Sequence, residues 1–427
     1  MKSNLKGVLK AGALVCFLYG WSGCVKDNCM QQYQYTWYQP VYKTSAEVRA
    51  EIKSGPPMAI TSPGKIVTLG NYLFLNEIDK GIHILDNSNP ASPKNMAFIA
   101  IPGNVDLAIK GNLLYADLYT DLVTIDISNP LQAVVKSFVS GVFPDRYYGG
   151  YLLTADSNTM VTDWIKHDTT VMASCNGPIG IYPYMGLPRG AFDFAAMSLN
   201  SRGAVSVPVG TGGSMSRFAL IGNDLYTVGN TDLSIFNITN GSQPVFANKI
   251  QVDWHVETIY PFKNTLFVGT NNGTYMYDVS TSPESPSSAG QFTHARSCDP
   301  VIADDNYAYI TLHSGTSCLG YNNELDIVKL NQLYNADLVM VYSLTSPMGL
   351  SKDGTLLFIC DGTDGLKVFD ATDVMNLKLL RQFPGPDTYD VIAQNGIAIV
   401  VASDGLYQYD YSDVQNIHLI SKMGISK

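Results

Sequence analysis

The chain has 427 residues, 27 Lys plus Arg against 37 Asp plus Glu, and a formal net charge of −10. With no dense Lys/Arg cluster in its body, it lacks the cations that neutralise phosphates, which argues against a nucleic-acid partner. Only 15% of residues are charged while 37 are glycine and 26 tyrosine, a balance that suits an all-β protein with many tight turns.

The N-terminus has the form of an export signal. Lys2, Lys6 and Lys10 precede the short apolar stretch 11–21, and Ser22-Gly23-Cys24 follows. A cysteine directly after small residues resembles a lipobox, although Trp21 stands where such a motif usually has Leu. That resemblance implies a signal peptide over 1–23 and acylation of Cys24; an ordinary signal peptide or a membrane-anchoring helix are the alternatives. Lys26-Asp27 resembles the short signal that sends lipoproteins of Bacteroides-type bacteria to the cell surface. The expected location is the outer membrane, on its surface or periplasmic face. No later apolar run approaches the ~18 residues needed to span a bilayer.

Residues 24–57 read as a tether with a short helix. Thr44 and Glu47 fit a capping box, and Gly55-Pro56-Pro57 would stop the helix after about Lys53. From 58 to 427 the pattern is strand, turn, strand. Segments 81–93, 121–133, 232–244, 273–285, 324–336, 365–377 and 405–417 repeat one motif, and a degenerate copy lies at 159–171 beside an insertion at about 172–213. Asn/Gly turns precede many of them, as in Gly111-Asn112 before LLYAD. Four short antiparallel strands at a period near 40 residues predict a β-propeller. Eight copies give eight blades; seven result if the degenerate copy is not a blade.

Leu122-Val123-Thr124-Ile125-Asp126 and Ile82-His83-Ile84-Leu85-Asp86, each followed by a Ser-Asn-Pro turn, resemble the LVIVD repeat of bacterial surface and secreted propellers. The resemblance extends from about residue 60 to the end. It implies the propeller fold but no particular activity.

Two recurrent positions carry charge. Asp86, Asp126, Asp278, Asp370 and Asp410 sit one per repeat, too far apart to share a metal, and are expected to accept backbone hydrogen bonds in the next turn. Lys65, Asp106, Asp145, Arg217, Glu257 (or Thr258), Asp299, Met348 and Asp390 fall near the start of each innermost strand. In a propeller these positions converge on one mouth of the central channel. They form a polar ring able to hold a calcium ion or a polar ligand, or one that pairs with backbone and water.

Cys298 and Cys318 lie in connections that would emerge on the same face of one blade, in a compartment that permits oxidation. CDP…SGTSC also resembles a recurring feature of the family, which implies a disulfide between them. A zinc site with His294 or His313 is the lesser alternative. Cys360, in an apolar strand, reads as a buried thiol. No G-x-S-x-G, H-E-x-x-H or phosphate loop occurs. The expectation is a lipid-tethered scaffold that binds a protein or glycan, with no evident cofactor and no membrane contact beyond the anchor. The rival is a glycan hydrolase or lyase using acids at the mouth.

Overall fold

The computed structural model describes residues 30–143, 145–148, 151–154, 159–174, 208–294, 300–314, 322–330 and 336–426. Two compact units separate: Met1–Val41 with Asp163–Gly186, and Tyr42–Thr162 with Leu187–Lys427. Among the described residues no helix is long and apolar enough to cross a membrane.

The second unit is a seven-bladed β-propeller. Blade 1 is Pro63–Leu69, Tyr72–Glu77, Gly81–Asp86 and Lys94–Ala100 in that spatial order. Blade 2 runs from Leu107–Lys110 to Val134–Val139, blade 3 from Phe218–Ile221 to Val245–Gln251, and blade 4 from Val256–Phe262 to Ser287–Thr293. Blades 5, 6 and 7 begin with Val301–Ala303, Leu350–Asp353 and Thr388–Gln394. Period-2 alternation gives each blade two apolar faces. In the second strand of blade 1, Phe74 faces blade 2 while Leu73 and Leu75 face blade 7. Every interface between neighbouring blades holds its own buried cluster, and the last, Ile66, Leu75 and Leu85 against Ile392, Val401 and Leu406, closes the ring. The recurrent aspartates act as the sequence indicates. The Oδ1 atoms of Asp86, Asp126, Asp278, Asp370 and Asp410 each accept the backbone N–H two residues on, at 2.8 to 2.9 Å.

Eight blades is therefore corrected to seven. The degenerate copy at 159–171 lies in Thr159–Ser174, which pairs with Met30–Thr44 in a two-stranded sheet of its own rather than in a four-stranded blade. Residues 30–44, whose composition suggests a tether, are thus a strand. Among the described residues Asp145–Tyr148 pairs with Tyr151–Thr154 alone, in a two-stranded sheet, so Asp145 does not fall on the inner strand of a four-stranded blade. Blades 2 and 3 pack directly, with Tyr115 and Leu122 against Leu225 and Phe236, leaving no gap for another sheet. The alternating residues of 159–171 fit a two-stranded ribbon as well as a blade, because strand periodicity does not depend on the partner.

The predicted capping box is present: Thr44 and Glu47 bracket the helix Ser45–Ala50. Its Val48 is fully buried among blades 1 and 2, and Arg49 bonds Asp121 at 2.5 Å. Lys53–Gly55 then adds an outer strand to blade 1.

Candidate functional site

The inner strands begin at one face, here the upper face, and run down the channel wall. The end of the insertion threads this channel. The N–H of Gly111 donates to Pro208 O and that of Gly210 to Ile109 O, at 2.6 and 2.8 Å, near the lower end. Thr211 and Gly212 pair with Thr68 and Val67, extending blade 1 inwards. Higher up, Ser214 Oγ accepts the N–H of Leu350 at 2.8 Å and lies 3.5 Å from Asp390 Oδ1. Lys65 Nζ donates to Met215 O, and Ser216 O accepts the N–H of Ile259 at 2.8 Å. Segment 208–216 therefore reaches blades 1, 2, 4, 6 and 7 before it continues as blade 3. The inner strands present backbone groups to the channel that need partners, and this plug supplies them. Glycine is needed where it passes Asp390: a Cβ on Gly213 would sit 1.9 Å from Asp390 Oδ2.

Six of the eight predicted mouth positions are placed here. Asp106 and Asp390 are buried, at 1% and 3% exposure, and start the inner strands of blades 2 and 7. Asp106 accepts the N–H groups of Leu107, at 2.6 Å, and Arg217. Asp390 Oδ1 accepts from Val391 at 3.0 Å, whereas its Oδ2 has no hydrogen-bond partner. Burial pushes both carboxyls up to about 6, against the opposing pull of Lys65. Burial likewise lowers Lys65, which the charges of Asp106, Asp390 and Glu257 partly restore. Arg217 turns its guanidinium onto the carbonyls of Val228 and Gly229, at 3.1 and 3.2 Å. Glu257 is half-buried and Thr258 buried. Met348 donates its N–H to Cys360 O at 2.7 Å. Lys65 supplies a positive charge to both acids. Among the described residues no three His, Cys, Asp or Glu side chains gather to hold a metal. Cys24, Cys298, Asp299 and Cys318 lie outside the described residues. Cys360 is a free, fully buried thiol, as its strand suggests.

A cleft of about 390 Å³ opens at the seam between blades 7 and 1, with Lys65, Met215 and Asp390 beside Ser62, Tyr389 and Ser403. Its Thr61–Ser62 wall is fixed by Glu77, whose carboxylate accepts the backbone N–H of both, at 3.1 and 2.8 Å, and meets His83 Nε2 at 3.1 Å. These bonds overcome burial and hold Glu77 down at about 2. Asp117 does the same for Val105 and Asp106 at 2.9 Å, and Asp361 for Thr345 and Ser346 at 3.0 and 2.7 Å. Sequence reasoning missed this position. Its signal was an acid closing the second strand, in LFLNE, LLYAD and LFICD.

Comparison with known proteins fits this geometry. The LVIVD repeat model matches residues 64–99 and 103–139, which are blades 1 and 2, so the chain contains LVIVD repeats. No curated protein matches the chain. Among solved structures it is similar to the periplasmic gluconolactonase PpgL of Pseudomonas aeruginosa (TM-score 0.54, 11% identity, covering 88% of this chain and 96% of that one). It is also similar to a protein from Lactobacillus plantarum (TM-score 0.51, 14% identity, 85% and 96% covered) and to the computationally designed Ika8 protein (TM-score 0.50, 10% identity, 86% and 90% covered). At these identities the likeness establishes the fold alone.

Proposed function

We propose that this chain is an envelope lipoprotein, held in the outer membrane by acyl chains on Cys24, whose upper face binds a glycan or a protein. The observation that carries this reading is the seam cleft. It is preformed, its wall is locked by Glu77, and it sets Lys65 beside the side chains of Ser62, Ser403 and Tyr389. A concave site with a few convergent polar groups is the usual form of a ligand pocket. The Cys298–Cys318 disulfide belongs to the same proposal, as a clamp on the blade 5 connections, and Lys26-Asp27 supports exposure at the cell surface. A glycan array together with crosslinking in intact cells tests the binding role. Labelling with a fatty-acid analogue tests the anchor, and it should vanish in Cys24→Ala.

A second reading, a hydrolase or lyase acting on carbohydrate, draws on one feature. Asp390 is an acid held near pH 6 beside an amine lowered by burial, a pairing suited to proton transfer. The fold likeness to a gluconolactonase makes sugar lactones the first substrates to assay. Turnover that disappears in Asp390→Asn would favour this reading; binding without turnover would favour the first.

A further inference from the structure

We infer that Trp254 is an aromatic platform on which the upper face stacks one pyranose ring of a glycan. This rests on the proposal that the upper face binds a glycan, and it adds a contact distinct from the seam cleft.

Exposure and fixation meet at this residue. Trp254 is 68% exposed, more than any other large apolar side chain among the described residues. It lies in the upper-face connection between the outer strand of blade 3, Val245–Gln251, and the inner strand of blade 4, Val256–Phe262. A tryptophan ordinarily buries its large apolar area, so one held in solvent calls for a reason.

The loop that carries it is pinned from both sides. The N–H groups of Val252 and Val256 donate to the carbonyls of Thr231 and Asn230 in blade 3, at 3.0 and 2.9 Å. Towards blade 4, Asp253 Oδ2 accepts the Tyr275 hydroxyl at 2.7 Å and Asn272 Nδ2 at 3.3 Å. Asp253 Oδ1 accepts the N–H of Trp254 at 2.7 Å. His255 then takes the left-handed conformation, at φ 54°, and its carbonyl accepts the N–H of Asn271 at 3.2 Å. A residue other than glycine holds that conformation only where its surroundings fix it. The backbone beneath the indole is therefore set before a ligand arrives, which lowers the ordering cost of binding.

The surroundings decide between partners. A protein interface has a contiguous apolar core. On blades 3 and 4 the other exposed large apolar side chain among the described residues is Val245, which starts the outer strand of blade 3 at the opposite, lower face. The loop is flanked instead by part-exposed or exposed amides and a hydroxyl: Asn230, Thr231 and Gln251 towards blade 3 and Asn272 towards blade 4. A pyranose fits this set, with its axial C–H groups on the indole and its hydroxyls exchanging hydrogen bonds with the amides. A nucleobase would also stack, but its phosphates find no cationic surface on a chain of net charge −10.

The test titrates the intact mature chain in detergent with cellohexaose, xylohexaose, maltohexaose and chitohexaose, and with any array hit, by calorimetry and tryptophan emission. At least one glycan should bind, move the emission to the blue and shield it from acrylamide. Trp37 and Trp164 are part-buried, so Trp254 dominates that quenching. Trp254→Ala should weaken binding by about tenfold, the loss of one aromatic contact. Trp254→Phe keeps a smaller ring and should weaken it less, while abolishing the emission change. Both variants alter an exposed side chain and should melt with the parent. Binding that Trp254→Ala leaves at full strength overturns the inference, and the glycan-binding proposal then survives through another contact. A protein partner that crosslinks through position 254 in place of a glycan overturns it too. If neither these oligosaccharides nor any array glycan binds, both the platform and the glycan-binding proposal fall.

Discussion

Asn87 and Gln408, 321 positions apart, exchange two amide hydrogen bonds across the ring seam: Asn87 Nδ2 donates to Gln408 Oε1 at 2.9 Å and Gln408 Nε2 to Asn87 Oδ1 at 2.7 Å. The pair links blade 1 to blade 7, alongside the Ile66–Ile392 cluster. Gln408 is 1% exposed, so truncating it leaves the Asn87 amide without its partner. Gln408→Ala should cost about 1–3 kcal/mol in urea unfolding. Asn87→Ala should add little more on top of it, because the two side chains satisfy each other. Fully additive losses would show that the amide pair does not couple the seam.

The plug gives a second test. Gly213→Ala would force a methyl group into the Asp390 carboxylate, with all three nearest atoms belonging to that side chain. A loss of about 2–3 kcal/mol is expected for overpacking of this kind. Asp390→Ala removes the obstructing atoms, so Gly213→Ala should cost much less in that background. Thermal melts of the four proteins check this, and an equal cost in both backgrounds would mean that the segment does not press on Asp390.

The pH dependence follows from the raised acids. Asp106 and Asp390 hold a proton in the fold up to about pH 6, while in the unfolded chain they release it near 3.8. The folded state thus binds more protons in this window. The stability these groups confer is fully present below about pH 3.8 and lost as pH rises through 6. Asn at 390 carries no such penalty. The stability of Asp390→Asn relative to the parent should rise by roughly 2–3 kcal/mol between pH 4 and 7. A pH-independent difference in denaturation midpoints would place the ionised carboxylate in a solvated setting instead.

Glu77 has the opposite sign. Its carboxyl is lowered to about 2 by hydrogen bonds from Thr61, Ser62 and His83. Its contribution is present above the ordinary value of 4.5 and lost as pH falls towards 2. Glu77→Gln replaces an acceptor oxygen with an amide NH2 group facing these donors, at a cost of about 2–3 kcal/mol at pH 7. The deficit should narrow at pH 3. Because Glu77 fixes the Thr61–Ser62 wall, the same variant should also speed hydrogen exchange of those two amides.

What the sequence determined is whatever repeats locally. The period near 40, the Asn/Gly turns and the alternating apolar runs specify a four-stranded sheet that needs a neighbour on both faces, and Asp86 and Asp126 cap their turns by contacts two residues away. Positional equivalence within that repeat also brought Lys65, Asp106 and Asp390 to one mouth, where they act on one another. The number of blades was not legible, because 159–171 carries the same alternation whether it joins a blade or, as here, pairs with 30–44. Nor was the plug: Gly210-Thr211-Gly212-Gly213-Ser214 has no apolar periodicity, and its place is set by backbone bonds to strands distant in sequence. Only the closed ring could decide that the mouth is stoppered from within and that its open side is the cleft beside Asp390. Those facts depend on which edges remain unpaired once seven sheets have met, and no local pattern encodes that.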